Sequence, residues 1–487
     1  MKIIVKFFPE ITIKSKSVRW YFIKILNSNI CRVLKFYDCT AVVKYYWDYI
    51  EIVVNEEYSI MNIVEILICI PGIHHVLLVQ EYCFRYVDDI FKKVMSLYSD
   101  TLVGKSFCVR VKRCGHHNFS SQELECYLGA MLCKNIKSSF VKLVDPEEVI
   151  SLEVKLDRFL LLKNRYVGLG GFPIGSQGAV LSLISGGFDS GIASYMLVRR
   201  GCKVHYCFFN IGGDCYENRV HEIAYFLWKR FGCSHVVKFI SIDFSCVIDE
   251  ILNKINSSYM GVVLKRMMIR AATLVAKGLN ISALVTGEVL GQVSSQTLIN
   301  LNIINSVTDV MIFRPLISFS KEDIIDISRK IDIEKLIINV PEYCALFSKK
   351  PNVKASNRLV EFEEKKFNFS ILTTVVNRRK IVNITNFFSK NNLKIVDDIK
   401  FVDQVDSSYI VIDIRLKVDQ KRRPLCLGVI EVQNIPFYKL FNVFFTLDQD
   451  REYLLYCEKA IMSRSQALYL RSHGFNNVHV YLPSKDS

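Results

Sequence analysis

Residues 180–199 read VLSLISGGFDSGIASYMLVR. Five apolar or small residues lead into Ser185-Gly186-Gly187-Phe188-Asp189-Ser190, and an apolar-periodic segment follows at once. That succession predicts a buried strand, a tight glycine turn and a helix start. Paired glycines let backbone N–H groups approach an anion closely, and the helix N-terminus adds its positive end. Ser185 and Ser190 add hydroxyl donors. The GxxxxGK[ST] phosphate loop is absent, so the turn is of another kind.

The chain is 487 residues long, enough for three or four domains, and 51% of it is hydrophobic, enough for several cores. The best candidate membrane span, residues 63–79, contains Glu65, Pro71, His74 and His75, and no uninterrupted run reaches the ~18 apolar residues a span needs. The opening MKIIVKFFPEITIK meets Glu10 and Lys14 too early for a signal-peptide core. The expectation is a cytoplasmic protein with no membrane partner. Its net charge of +15 suggests a polyanionic partner. The charge is uneven: residues 1–50 carry nine Lys/Arg against three Asp/Glu, and residues 51–100 carry three against eight.

None of the sixteen cysteines forms a CxxC pair, which removes zinc-ribbon and common iron–sulfur spacings, and no metal site is expected. The length argues against a disulfide framework, so most thiols should be small buried hydrophobes. Two are exceptions. Cys344 lies between Pro341 and Pro351 with Lys349 and Lys350 nearby, a setting that favours thiolate. Cys457 follows an apolar strand (residues 453–456) and precedes a short loop and a helix (466–473). That arrangement brings backbone N–H groups, a helix N-terminus and Arg464 towards the sulfur, all of which favour a thiolate or persulfide anion.

In chain order, residues 3–7 and 41–54 alternate as strands around a helical stretch at 18–36, whose basic face carries Arg19, Lys24, Arg32 and Lys35. A second α/β unit follows: helix 59–69, strand 72–80, helix 88–99, and the period-2 strand SFCVRVK at 106–112. Arg110, Lys112, Arg113, His116 and His117 cluster there, ahead of a helix with a Ser/Glu start. Such a strand and loop can neutralise phosphates without reading sequence. YVGLGGFPIG, residues 166–175, is a hinge. Beyond it, strands at 180–184, 202–209, 236–242 and 283–285 alternate with helices, including MGVVLKRMMIRAATLVA at 260–276, and imply a parallel doubly wound sheet. Phe208 or Phe209 could stack on a base or pack in the core. Residues 291–297, GQVSSQT, are small and polar, as a ligand loop should be. Mixed charge and many Asn at 360–400 read as linker, and a last α/β domain begins near 402.

SGGFDS resembles the pyrophosphate-binding loop of the PP-loop ATP pyrophosphatases, and FCVRVKRCGHHNFSSQELE resembles the THUMP domain of RNA-modifying enzymes. The Cys457 loop, with Asp413 and Arg415 at the end of a preceding strand, resembles the rhodanese active-site loop. Ala460 stands there where that family often has Gly, a costly exchange if the position needs φ > 0. With FPEITIKS, LKRMMIRAA, TGEVLGQVSSQTL and PEYC, the chain resembles, end to end, the ThiI family of tRNA 4-thiouridine synthetases in its long form with a rhodanese domain. The fold class implied is multidomain α/β. A ferredoxin-like unit covers 1–59, a THUMP unit 60–167 and a PP-loop domain 176–361; a linker (362–401) leads to a rhodanese-like domain at 402–487.

The resemblance implies ATP on Ser185, Gly186, Gly187 and Ser190, with Leu183 and Ile184 at the strand end, Lys265 near the phosphates, and Gly287 and Gln296 completing the site. Mg2+ would arrive with the nucleotide, and Asp189 would hold it or position the loop. The implied reaction adenylates a uridine of tRNA and replaces its C4 oxygen with sulfur. The sulfur is carried as a persulfide on Cys457, loaded by a cysteine desulfurase, and Cys344 closes a transient disulfide with Cys457. Transfer to a ThiS-type carrier for thiamine synthesis is a second implied role. Two alternatives stay open from the residues: another adenylating PP-loop RNA modifier, and a sulfur-relay or RNA-binding protein without adenylation.

Overall fold

The computed structural model describes residues 2–54, 59–211, 214–337, 351–386, 399–415, 417–458 and 460–483. The chain divides into two compact units. The first comprises Met1–Ser176 with Arg199–Gly201, and the second comprises Gln177–Val198 with Cys202–Ser487.

The first unit is built on an eight-stranded sheet. Its first four strands in sequence are Lys2–Phe7, Ala41–Tyr45, Tyr49–Val54 and Ile73–Cys83, lying in the order 4-1-3-2 and all antiparallel. Helices Lys16–Phe36 and Ile60–Ile68 complete the strand–helix–strand–strand–helix–strand succession of a ferredoxin-like unit. Strand Arg158–Val167 pairs with Ile73–Cys83 and continues the sheet through Glu148–Lys155 to Ser106–Cys114 and Phe140–Val141. The helix after the basic strand, Ser121–Asn135, opens with the expected capping box: Ser120 Oγ accepts from Glu123 N–H (3.1 Å) and Glu123 accepts from Ser120 N–H (2.7 Å).

The second unit holds two sheets. Five parallel strands run Met311–Phe313, Ala283–Val285, Ala179–Leu183, Lys203–Asn210, Lys238–Asp243. In sequence terms that order is 5-4-1-2-3, so the chain reverses direction across the sheet beside the first strand, Ala179–Leu183. Such a switch point opens a crevice at the carboxyl ends of the strands. A sixth strand, Lys380–Asn383, joins antiparallel to Lys238–Asp243. This part of the expected linker is therefore integral to the sheet. Helices Asn357–Glu364 and Phe369–Asn377 pack with it, burying Val360, Leu372, Val375 and Val376. Asn357–Glu364 has few apolar positions among its charges, whereas Phe369–Asn377 has no charge and five apolar residues; the stretch reads from sequence as a helical or extended linker.

The other sheet has five parallel strands in the order Phe401–Val402, Val478–Tyr481, Glu452–Tyr456, Tyr409–Asp413, Val432–Asn434. Its switch point lies between Glu452–Tyr456 and Tyr409–Asp413, and Cys457 is the first residue beyond the carboxyl end of the former. Among the described residues no helix is long and apolar enough to cross a membrane.

Candidate active site

The strand Ala179–Leu183 delivers the chain to the switch point, and helix Phe188–Arg199 carries it away. Ile184 is buried, and its N–H bonds Cys207 O (2.9 Å), fixing the strand end to its neighbour. The turn is cross-tied by its two serines. Ser190 Oγ accepts from Ser185 N–H (3.0 Å), and the two hydroxyls stand 3.1 Å apart. The Gly186 N–H donates to Tyr216 Oη (3.2 Å). The first N–H groups of the helix have no carbonyl partner within it.

Gly287 follows strand Ala283–Val285, across the switch point. A Cβ there would lie 2.5 Å from Asp189 C and from Ser190 N. Glycine is required here by space, because backbone presses on backbone. Asp189 is held from both sides: Gln292 Nε2 donates to Oδ2 (2.9 Å) and Lys321 Nζ to Oδ1 (3.0 Å). Both carboxylate oxygens of Asp189 are thus engaged across the loop.

Lys265 projects from helix Met260–Gly278 to Glu288, with Nζ to Oε1 at 3.0 Å. Arg314 Nε meets the other oxygen at 2.8 Å, and Thr286 Oγ1 donates to it at 3.1 Å. Burial pushes the Glu288 carboxyl up, but the attraction of Lys265 and Arg314 outweighs it and holds the group below its ordinary range. Two cations around one carboxylate leave a positive excess. Gln296 is buried with its Oε1 unpaired, while its backbone closes the loop by accepting from Gly291 N–H (2.9 Å). A buried amide oxygen without a partner suits a site completed by a ligand.

The structure therefore brings Leu183, Ile184, Ser185, Gly186, Gly187, Asp189, Ser190, Lys265, Gly287 and Gln296 to one edge of the second unit's larger sheet. It adds Glu288, Arg314, Tyr216 and Lys321, to which the sequence reading gave no role, and gives Gln292 of the expected ligand loop a specific partner in Asp189. Lys321 carried a usable signal. It opens helix Lys321–Lys330 directly after the Ser320 cap, where a cation opposes the helix dipole unless an acid answers it. Phe208 and Phe209 are both buried, against Tyr216 and Phe244, so their fate is core packing and not base stacking.

Cys457 is 3% exposed. Its Sγ accepts from Ser463 N–H (3.4 Å) and lies 3.3 Å from Ser463 Oγ, within the first turn of helix Ile461–Ser472. Ala460 takes the N-cap at φ +55°, ψ 0°. Its N–H bonds Cys457 O (3.2 Å) and its carbonyl accepts from Arg464 N–H (3.0 Å). The left-handed conformation considered for this position is the one it adopts. Arg464 serves through its backbone, its side chain being exposed. The cation built into this end of the sheet is Arg415. It forks onto buried Asp413 (2.6–3.1 Å), stands 5.0 Å over the Tyr456 ring and lies 3.7 Å from Glu458 Oε1. Cys344 lies outside the described residues.

On the first unit, Arg110 and Lys112 are exposed on strand Ser106–Cys114. His117 is tied inward, its Nε2 2.9 Å from Leu156 O and its ring stacked on Phe84. Arg19, expected on the basic helix face, is buried instead. It bonds Thr12 O, Trp47 O and Asp48 and lies 4.1 Å over the Trp47 ring.

Three family models match: the ThiI ferredoxin-like domain over residues 2–76, the THUMP domain over 84–162 and thiamine biosynthesis protein (ThiI) over 175–369. The tRNA sulfurtransferase of Blochmanniella pennsylvanica is 52% identical over 487 residues, covering 100% of both chains. The chain belongs to the tRNA sulfurtransferase family. A second tRNA sulfurtransferase, from Shigella dysenteriae serotype 1, is 52% identical over 483 residues, covering 99% of this chain and 100% of its own. A crystal structure of a 4-thiouridine synthetase in complex with RNA and bound ATP matches with a TM-score of 0.68 and 25% identity, over 79% of this chain and 99% of that one.

Proposed function

We propose that the chain is a cytoplasmic, ATP-dependent tRNA sulfurtransferase that converts a uridine, position 8 in tRNA numbering, to 4-thiouridine. The observation that carries this reading is that one chain bears both halves of the chemistry: an anion-ready glycine turn braced by Gly287 and Asp189, and a sulfur held by Ser463. Family membership at 52% identity over the full length supports it, as does the RNA and ATP held by the structurally similar 4-thiouridine synthetase.

ATP enters as substrate, with Mg2+ bound to its phosphates to offset their charge. The turn at Ser185–Ser190 takes the phosphates, and Lys265 and Arg314 supply the surplus positive charge. Gln296 offers its unpaired oxygen to a donor of the nucleotide. The C4 oxygen of uridine attacks the α phosphate, and pyrophosphate leaves. A cysteine desulfurase loads Cys457 as a persulfide, in a C-terminal domain we read as rhodanese-like. The terminal sulfur attacks C4 and AMP departs. The Cys344 thiolate then attacks Cys457 Sγ, breaking its bond to the transferred sulfur so that 4-thiouridine leaves, and a dithiol reductant reopens the Cys344–Cys457 disulfide, a transient bond of the kind found in reducing compartments. Transfer of the same sulfur to a ThiS-type carrier is proposed as a second outlet.

We further propose that the work divides along the boundaries expected from sequence, with tRNA held by residues 1–167, adenylation within 176–361 and sulfur within 402–487. Asp189→Ala should abolish tRNA-dependent pyrophosphate release. Cys344→Ala should complete one turnover and then stall, seen as a single stoichiometric burst of 4-thiouridine. Continued multiple turnover in that variant would reject the disulfide step.

A further inference from the structure

Where the pairing of Lys2–Phe7 with Ile73–Cys83 slips, Lys6 opposes His75 and Phe7 opposes Ile73, leaving His74 without a partner residue. Such a bulge re-aims side chains that would otherwise alternate between faces. The His74 and His75 rings accordingly approach to 3.9 Å between centroids. Arg165, exposed on the neighbouring strand, donates from Nη2 to His75 Nε2 (2.9 Å). Phe8 meets the His74 ring edge-on at 6.0 Å.

The connector after this strand carries further cations of the same unit. Arg199 Nε donates to Leu169 O (2.9 Å). Arg200 lies 4.8 Å over the Phe172 ring, and Lys14 Nζ is 5.9 Å from the same ring. The platform beneath them is rigid by construction. Gly171 sits at φ +75°, and a Cβ there would fall 1.9 Å from Arg199 O. Four permanent cations are thus gathered with rings, and one carboxylate answers them, Glu10 on Arg200 at 3.3 Å. Among the described residues Lys14, Arg165 and Arg199 form no ion pair with an acid. Burial, then the His74 ring and the Arg165 charge, hold His75 down at about 4, so it accepts from Arg165 at neutral pH and leaves that guanidinium's charge unanswered.

We infer that this connector face, formed by Lys14, Arg165, Arg199 and Arg200 around the His74–His75 bulge, is a phosphate-backbone contact for tRNA, separate from the basic strand at Ser106–Cys114. Arg165 and Arg199 are anchored by a ring nitrogen and a backbone carbonyl and carry no carboxylate partner among the described residues, and Arg200 rests over Phe172 beside Glu10; guanidinium groups fixed in this way suit phosphate oxygens, which carry no sequence information. The inference rests on the tRNA reading above.

The test is tRNA binding by the full chain as a function of salt, for wild type, Arg165→Gln, Lys14→Gln, Arg200→Gln and the triple variant. Each lost phosphate contact should flatten the slope of log K against log salt by somewhat less than 1, roughly 0.7–0.9 by analogy with single strands and B-DNA, weaken binding severalfold at moderate salt, and leave the melting temperature and ATP affinity unchanged. Arg165→Lys keeps the charge and should keep the slope. Wild-type slopes in the Gln variants would overturn the inference alone. A slope lost equally in Arg165→Lys would mean that Arg165 merely supports His75, and would overturn its part. A wild-type chain that fails to bind tRNA at all would defeat the functional reading, and this inference with it.

Discussion

Ala460 sits at φ +55° where the chain turns from the sulfur-bearing loop into helix Ile461–Ser472. An L-residue with a Cβ is penalised there by about 1 kcal/mol relative to glycine, through contact with the following carbonyl. Ala460→Gly should therefore raise the stability of the C-terminal domain by about 0.5–1 kcal/mol, read as a higher urea midpoint with an unchanged slope. An unchanged or lowered midpoint would mean that the loop does not use this conformation. Ser463 belongs to the same turn and is the side chain that meets the sulfur. Ser463→Ala removes the hydroxyl contact but keeps the backbone N–H on the sulfur, so it should lower the rate of 4-thiouridine formation severalfold without abolishing it. These two residues also mark the limit of the sequence reading. Ala460 was legible because a family pattern has glycine there. Ser463 was not, because a serine in a helix's first turn is the commonest of capping residues, and only geometry reveals that it serves a sulfur.

At the scale of elements, helix Met260–Gly278 does two jobs with adjacent residues. Lys265 and Arg266 are separated by about 100° around the axis, so one reaches Glu288 in the site and the other turns into the interior. Buried Arg266 forks onto Glu364 (2.6 and 2.8 Å) and donates to Ile303 O (2.7 Å). Removing one partner of a buried pair leaves the other charge uncompensated. Glu364→Gln should cost about 3 kcal/mol in chemical denaturation and lower Tm. A loss below about 1 kcal/mol would show that water or the variant's amide oxygen satisfies Arg266. Sequence periodicity located this helix and the strands around it, because their apolar faces repeat at helical or strand spacing. It left helices Asn357–Glu364 and Phe369–Asn377 and strand Lys380–Asn383 in a helical or extended linker, because the first helix is anchored by charged pairs and the short strand lies at the sheet edge. Burial of Glu363 and Glu364 contradicts the usual rule that acids face water, and only their partners explain it.

For the whole molecule, the positive balance of +15 is distributed over surfaces of different use. Arg19 and Arg266 are consumed in buried contacts, and Arg415 is spent on Asp413. Lys265 and Arg314 meet on Glu288, next to Gly287, and Lys321 meets Asp189 of the glycine turn. Arg110, Lys112, Arg165, Arg199 and Arg200 remain on the first unit's surface. Composition alone could suggest a polyanion but could not sort these roles. Two switch points, one in each sheet of the second unit, set an anion-binding turn and a reactive sulfur at carboxyl strand ends, which is where parallel α/β sheets place their chemistry. Under the proposed function, that duplication would let activation of the oxygen be divided from delivery of the sulfur.

The separability of the two half-reactions is tested most directly by assaying Cys457→Ala, with tRNA, ATP and a loaded cysteine desulfurase, for pyrophosphate release and 4-thiouridine in one reaction. The account predicts tRNA-dependent pyrophosphate release within a few-fold of wild type and no 4-thiouridine, whose near-UV absorbance is absent from the recovered tRNA. Normal 4-thiouridine in this variant, or loss of pyrophosphate release together with it, would contradict the division.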